Sequence, residues 1–247
     1  MTIFEGSTAL VTGATSGIGY AIAIELARQG AEVVVHGRNA ERGAKAVQDI
    51  ENVGGRARFI AADLSEADDV RRLAAEAGEV DILINNAGIY GFAPTVETDD
   101  ADFDAHFGTN VRAPYILVQK LVPAMIERGH GNVVNISTVA ADKPAAGAGI
   151  YGASKAALDL LTKLWADEFG EAGIRVNAVS PGPVETEGSA ELGDIVEGLG
   201  RTRALQRVGQ ADEIAKAVAF VASPAASYIN GVVLPVDGGS RAERPAA

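Results

Sequence analysis

Tyr151 and Lys155, in Tyr151-Gly-Ala-Ser-Lys155, are the residues of this chain best suited to moving a proton. Four positions apart on a helix, they share one face. A free phenol titrates near pH 10 and is a poor base at neutral pH. An ammonium about 4 Å away supplies up to roughly 4 kcal/mol at an effective dielectric of 20, or about three pKa units. Desolvation of the lysine works against this. The pair therefore predicts a phenol tuned toward neutrality that can serve as a general acid or base. Taken alone, a Tyr/Lys pair is also a common accident of an amphipathic helix.

A second group of residues could bind a phosphate. Thr12-Gly13-Ala-Thr15-Ser16-Gly17-Ile18-Gly19 follows the β-branched run Thr8–Val11 and opens an apolar helical pattern. A helix start offers unpaired N–H groups and the positive end of a dipole, which suits a pyrophosphate. Glycines let the ligand approach the backbone. The spacing is Gly-x-x-x-Gly-x-Gly rather than the Gly-x-Gly-x-x-Gly dinucleotide fingerprint. The glycines alone are equally compatible with a tight strand–helix turn. A nucleotide loop together with a tunable phenol points to hydride transfer.

The elements that must position these groups alternate along the chain. Short apolar runs predict strands over Thr8–Val11, Val33–His36, Ala57–Ala61, Ile82–Ile84, Asn132–Ile136, Arg175–Val179 and Val232–Val236. They are almost continuously apolar, as parallel strands covered on both faces are. Amphipathic stretches predict helices over Ile18–Arg28, Glu41–Val53, Ala67–Ala77, Asp102–Glu127, Tyr151–Phe169 and Asp212–Val221. This order predicts an α/β fold, a Rossmann-like doubly wound parallel sheet of seven strands with helices on both faces. Pro114 and Pro123 are expected to kink or divide the long fourth helix. Glu187–Gln206, rich in glycine and charge, reads as a substrate flap, and Ser240–Ala247 as a polar tail. No linker divides the chain, so residues 1–247 are expected to form one domain.

Composition narrows the partners. A hydrophobic share of 47% supports a large core, and a net charge of −12 disfavours nucleic acid and anionic membranes. The absence of cysteine excludes disulfides and thiolate metal sites. His36, His106 and His130 lack metal-ligand spacing, and each is expected at the surface. The start of the chain has no signal-peptide pattern. The uncharged run Ala217–Val236 is broken by Pro224, Ser227, Asn230 and Gly231, so it reads as a buried helix, turn and strand. These features point to a cytoplasmic protein.

Four motifs in order carry a resemblance: the glycine loop, Asn85-Asn86-Ala87-Gly88, Tyr151-x-x-x-Lys155 and Pro181-Gly182, with Val236-Asp237-Gly238-Gly239 closing the pattern. From about Gly6 to Gly239 the chain resembles a single-domain short-chain dehydrogenase/reductase, nearest to 3-oxoacyl-thioester reductases and broad ketone/alcohol dehydrogenases. The resemblance implies that Gly13, Thr15, Ser16, Gly17, Ile18 and Gly19 hold the dinucleotide phosphates. Asp63 and Leu64 would meet the adenine, although Asp63 would also serve as a cap for the next helix. Asn86, Ala87 and Gly88 would line the adenine ribose. Pro181, Gly182, Val184 and Thr186 would lie along the nicotinamide side, with Thr186 on its carboxamide.

Cofactor choice is read at the end of the second strand. Relatives that prefer NAD commonly carry Asp where this chain has Gly37, and Arg38 follows. A 2′-phosphate needs a cation and no nearby anion. The expected cofactor is therefore NADP(H), with NAD(H) as the alternative, and an ordinary surface arginine is the competing account of Arg38. By resemblance Tyr151 protonates the carbonyl oxygen, and Lys155 also holds the nicotinamide ribose. The oxidised nicotinamide's charge would help to lower the phenol. A local helix irregularity at Asn110 would expose a backbone carbonyl to a water that contacts Lys155. The serine usual thirteen residues before the tyrosine is here Thr138, with Ser137 beside it. Threonine supplies the same hydroxyl. Alternation across a strand end sends only one of the two toward the ligand, and Thr138 is the expected one.

The flap carries the charges Glu187, Glu191, Asp194, Glu197, Arg201 and Arg203 and an apolar group, Ile195, Val196, Leu199 and Leu205, that could pack over a substrate. The arginines are expected on a solvated face, with an acid or a phosphopantetheine arm as the alternative partner. Asp167, Glu168 and Glu171 argue mildly against docking of an acidic carrier protein, and so for a coenzyme A ester or free ketone. The alternatives are oxidation of a sugar, polyol or steroid alcohol, and a cofactor-binding regulatory protein without chemistry. Relatives of this kind are commonly tetramers that pack the Asp102–Glu127 and Tyr151–Phe169 helices across a two-fold axis, so a homotetramer is expected.

Overall fold

The computed structural model describes residues 2–143, 145–188 and 193–239. Its main sheet is built from β1 (Thr8–Val11), β2 (Glu32–Gly37), β3 (Arg56–Ala61), β4 (Ile82–Asn85), β5 (Gly131–Ile136), β6 (Ile174–Pro181) and β9 (Val233–Val236). The short strands β7 (Val184–Glu185) and β8 (Gly209–Gln210) pair separately. The seven main strands are parallel, in the order β3-β2-β1-β4-β5-β6-β9. They are the seven expected ones, with ends differing by one or two residues.

Alternation along each strand sorts the core onto two faces. Val33 and Val35 of β2 join Ile22, Leu26, Ile50 and Val218, contributed by α1 (Gly17–Arg28), α2 (Ala40–Asn52) and α8 (Ala211–Ala222). Val34, between them, joins Leu10, Leu83, Leu73, Leu117 and Leu158 on the other face, beneath α3 (Ala67–Ala77), α5 (Ala113–Arg128) and α6 (Gly149–Gly170). β2 and β3 lie to one side of β1, and β4 begins the run to the other side. The carboxyl ends of β1 and β4 therefore border a crevice, where such sheets bind ligands.

A buried polar chain seats α6 on the sheet. Asn85 donates to Asn135 (2.9 Å), Asn135 donates to Thr162 (2.8 Å), and Thr162 donates to the Leu158 carbonyl (2.9 Å). This links β4, β5 and the helix that carries Tyr151 and Lys155.

The long fourth helix is divided as the resemblance implied for Asn110, though not at the prolines. It is broken into α4 (Asp100–Phe107) and α5 by a π turn at Gly108–Arg112, where the Ala113 N–H bonds to the Gly108 carbonyl. The prolines are not the dividing points. Pro114 lies in the first turn of α5, and Pro123 is carried inside the same helix, which ends at Gly129 with φ 74°. Pro114 still matters, because in a continuous α-helix its N–H would have paired with the Asn110 carbonyl. Part of the expected flap forms α7 (Gly193–Arg201), where three glycines hid a helical spacing of Ile195, Val196 and Leu199. The tail Ser240–Ala247 and flap residues 189–192, Glu191 included, lie outside the described residues. The Ala217–Val236 run is the end of α8, a 3₁₀ turn at Pro224–Ala226 and β9, the element types expected, but no residue of β9 is buried and Tyr228 is fully exposed. Among the described residues no helix is long and apolar enough to cross a membrane.

Leu83, fully buried at the middle of the sheet, tests this packing. Leu83→Ala is expected to lower unfolding free energy in urea by about 2–5 kcal/mol. A loss within 0.5 kcal/mol, the scale of an ordinary surface change, would contradict the core assignment.

Candidate active site

The glycine loop is fastened to both of its neighbouring strands. The Thr12 hydroxyl donates to the Ile84 carbonyl (3.2 Å) and accepts from the Asn86 and Ala87 amides (2.9 and 3.0 Å). Asn86 returns its side-chain amide to the Thr12 carbonyl (2.9 Å). On the other side the Gly13 N–H donates to His36 Nδ1 (3.1 Å) and the Ala14 N–H to the His36 carbonyl (2.8 Å). Gly13 has φ 63° and Gly17 φ 56°, a region that glycine enters without cost. A Cβ on Gly19 would come within 2.3 Å of both Asn86 Nδ2 and the Gly13 carbonyl, so only glycine fits there. α1 then begins with Ser16 extended and no side-chain cap on its first N–H groups. Thr186 closes the loop from above, since a Cβ on Gly17 would touch its side chain at 3.4 Å.

The catalytic candidates converge next to this loop. Asn110 is buried within the π turn, and its side chain is spent on fixed partners. Its Oδ1 accepts from the Ile89 N–H (2.9 Å), while Nδ2 donates to the Ile89 carbonyl (2.9 Å) and to Ser154 Oγ (3.0 Å). Ser154 in turn donates to the Tyr151 carbonyl (2.7 Å). Lys155 is buried and donates from Nζ to the Ile136 carbonyl (2.7 Å). A Cβ on Gly88 would sit 3.1 Å from both Asn110 Oδ1 and Lys155 Nζ, so Gly88 opens the space between them.

Thr138 and Ser137 diverge as alternation requires. The Thr138 hydroxyl is hydrogen-bonded to Tyr151 and also accepts from the Ala140 N–H (3.3 Å). Ser137 is buried on the opposite side, toward Asp159. The Ser137 hydroxyl has no partner at full hydrogen-bond distance, although it lies near enough to draw the Asp159 carboxyl down. Burial is the larger influence on Asp159 and raises it.

Several expectations are corrected here. The phenol of Tyr151 is not lowered toward neutrality. Burial raises it, the Thr138 bond opposes that, and the nearby Tyr90 adds to the rise. The lysine spends its ammonium on the Ile136 carbonyl, and burial lowers its pKa to about 8. His36 and His106 are buried rather than at the surface; only His130 is largely exposed. His36 Nε2 lies 3.1 Å from the Ala62 carbonyl, and desolvation drops the ring to about 4, so it is a neutral brace. Asp63 does not cap α3; its carboxylate accepts from the N–H and hydroxyl of Ser65. The Leu64 side chain lies in the core, which leaves its backbone for any adenine contact. Arg203 is not on a solvated face but is mostly buried beside Asp237 (3.4 Å), whereas Arg201 pairs with Glu197 in the open. Gly182 packs so closely on Asp237 that a Cβ would fall 2.7 Å from its Cα. Val184 is buried, and Arg38 is exposed at the end of β2.

Comparison with known proteins agrees with this layout. A family model described as enoyl-(acyl carrier protein) reductase matches residues 13–241. The gluconate 5-dehydrogenase of Gluconobacter oxydans (strain 621H) is 39% identical over 95% of this chain and 94% of its own length. The 3-oxoacyl-(acyl-carrier-protein) reductase of Escherichia coli (strain K12) is 38% identical, covering 96% and 98%. A solved short chain dehydrogenase/reductase family protein is 51% identical over 96% of this chain and 98% of that one, with a TM-score of 0.91. The chain belongs to the short-chain dehydrogenase/reductase family. It is an oxidoreductase of the CH–OH/C=O class, and a nicotinamide cofactor goes with it.

The loop fits the cofactor of such a dehydrogenase/reductase. It offers an uncapped helix start, glycines at positive φ, and a Gly19 position that admits no side chain. Sequence reasoning missed one side chain of the site, Tyr90. Its ring meets the Tyr151 ring edge-on at 6.4 Å and the Phe92 ring at 6.3 Å, and its hydroxyl donates to the Gly188 carbonyl (2.6 Å). Its place directly after Asn86-Ala87-Gly88-Ile89 was the available signal, since the residues leaving that strand must border the same crevice.

The buried lysine has a measurable signature. Its folded pKa of about 8 lies below the ordinary 10.5, so between these values the unfolded chain binds more protons. The stability of the wild type relative to Lys155→Met is therefore expected to rise from pH 8 to 10.5, by at most about 1.4 kcal/mol per pH unit. Urea unfolding of both proteins at pH 7.5 and 9.5 checks this, and a difference that falls with pH contradicts it.

Proposed function

We propose that this dehydrogenase/reductase is an NADP(H)-dependent reductase of 3-oxoacyl-type or similar ketones, with Tyr151 as general acid. The observation that carries the cofactor choice is the end of β2, where Gly37 has no side chain and the exposed Arg38 supplies the charge. A guanidinium suits a 2′-phosphate, and no carboxylate at that position accepts from a 2′-hydroxyl.

Within this reading Gly13 to Gly19 hold the phosphates, and Asn86, Ala87 and Gly88 the adenine ribose. Asp63 and Leu64 border the adenine; Pro181, Gly182, Val184 and Thr186 border the nicotinamide. The bound nicotinamide supplies the hydride. The Thr138 hydroxyl and Tyr151 phenol together hold the substrate oxygen, and Tyr151 gives it a proton. Burial raises the phenol, which suits it to donate a proton, and the same residues serve both directions, so the cofactor ratio decides between them. Lys155, anchored on the Ile136 carbonyl, holds the ribose of the nicotinamide, and Asn110 fixes the turn that presents its backbone carbonyl to a proton relay.

The aromatic wall of Tyr90 and Phe92 supports a substrate with apolar surface. Similarity to gluconate 5-dehydrogenase favours a second reading, the oxidation of a polar secondary alcohol by the same residues. A homotetramer is part of the proposal. Tyr115 on α5, with its ring 5.9 Å from that of Trp165, and Leu160 and Leu164 on α6 present apolar side chains outward.

NADPH oxidation with acetoacetyl-coenzyme A, run beside NADH, is the first test. Turnover with NADPH preferred supports the proposal. No turnover with the ester, and reduction of oxidised cofactor by gluconate, replaces it with the second reading. Tyr151→Phe is expected to lower turnover by about 10²–10⁴ while NADPH still binds. Equal turnover in the two proteins would remove Tyr151 from the chemistry.

A further inference from the structure

The space beside Gly37 is already occupied. A Cβ built on this residue would lie 2.5 Å from Thr15 Cγ2, 2.9 Å from Oγ1 and 3.3 Å from Thr15 Cβ. Separations under 3.0 Å force something to move. Rotation of Thr15 gives little relief, because a β-branched side chain fills two of its three staggered positions in every rotamer. Its own Cβ stays where it is in all of them.

The loop that carries Thr15 cannot retreat easily either. Gly13 and Ala14 are hydrogen-bonded to His36, the residue before Gly37, and His36 is braced in turn against the Ala62 carbonyl. On its far side the loop meets Ala87, whose Cα would be 3.0 Å from a Cβ on Gly13. Thr15 is thus held over Gly37 by contacts on three strands' ends.

We infer that Thr15 is a specificity-determining residue for the cofactor. Its side chain fills the volume that an acidic residue at position 37 requires. It therefore excludes a carboxylate acceptor for a ribose 2′-hydroxyl and leaves Arg38 as the charged group facing a 2′-phosphate. This inference rests on the NADP(H) reading of the β2 end and deepens it. A consequence is that acidity cannot be introduced at position 37 alone: Gly37→Asp meets Thr15 before it meets a ribose.

The test compares the wild type, Gly37→Asp and Thr15→Ala/Gly37→Asp, by melting temperature without cofactor and by titration with NADPH and NADH. Gly37→Asp is expected to melt about 4 °C or more below the wild type and to bind both cofactors weakly. Adding Thr15→Ala is expected to restore most of that loss and to tighten NADH at least about tenfold over the single variant. If Gly37→Asp does not fold, Gly37→Ala with and without Thr15→Ala reads the same contact through the Cβ alone. The inference is overturned if Gly37→Asp melts like the wild type and gains NADH unaided, or if Thr15→Ala restores nothing. A wild type that binds NADH more tightly than NADPH overturns the NADP(H) reading instead. The melting temperatures would then still decide whether Thr15 blocks position 37.

Discussion

One hydroxyl holds the two halves of the site in register. Thr12 is nearly the last point at which β1 and β4 run side by side, and its Oγ1 bonds across to Ile84, Asn86 and Ala87. Each such bond is worth only about 1 kcal/mol net, yet a buried amide left without its acceptor costs about 1–3 kcal/mol. The arrangement is therefore strongly favoured over any in which the strands' ends splay. The glycine loop and the Asn86–Gly88 turn, which together form the walls of the crevice, take their spacing from it.

The catalytic side is built from polar groups that are buried and already engaged. Asn110 spends its amide on Ile89 and Ser154, Lys155 spends a proton on Ile136, and the Asn85–Asn135–Thr162 chain seats their helix. Burying each of these groups has a cost, and for Lys155 it shows as a lowered pKa caused by desolvation. The π turn belongs to the same economy of constraint. It sets Asn110 facing the site, and Pro114, lacking an N–H, leaves the Asn110 carbonyl without its usual helical donor.

Much of this was legible in the sequence, for reasons that are specific to each element. The strands are short, apolar and bounded by turn residues, so β1 to β6 and β9 could be placed within a residue or two. The glycine loop and the Tyr151/Lys155 pair were legible because their chemistry is local in the chain. What depends on distant partners was not. The burial of His36 is decided by Gly13 and Ala62, which no spacing in the sequence connects to it. The direction of the Tyr151 shift is set first by its burial, which depends on packing partners distant in the chain, and the Lys155 ammonium is engaged by the Ile136 carbonyl. Prolines were the visible helix breakers near position 114, whereas the actual break is a change of hydrogen-bond pattern around Asn110, which only the family resemblance pointed to. Tyr90 joins Gly188 across 98 positions, too far for any local pattern to reveal.

The uncapped start of α1 carries a consequence for the protein's survival rather than for its chemistry. Ser16 leaves the first amides of the helix without a side-chain acceptor, so the folded chain without a ligand forgoes interactions that a bound anion restores. Any cofactor that binds only the folded form adds stability by mass action, about 2.7 kcal/mol at a hundred times its dissociation constant. Resistance to unfolding is therefore tied by mass action to the free dinucleotide concentration.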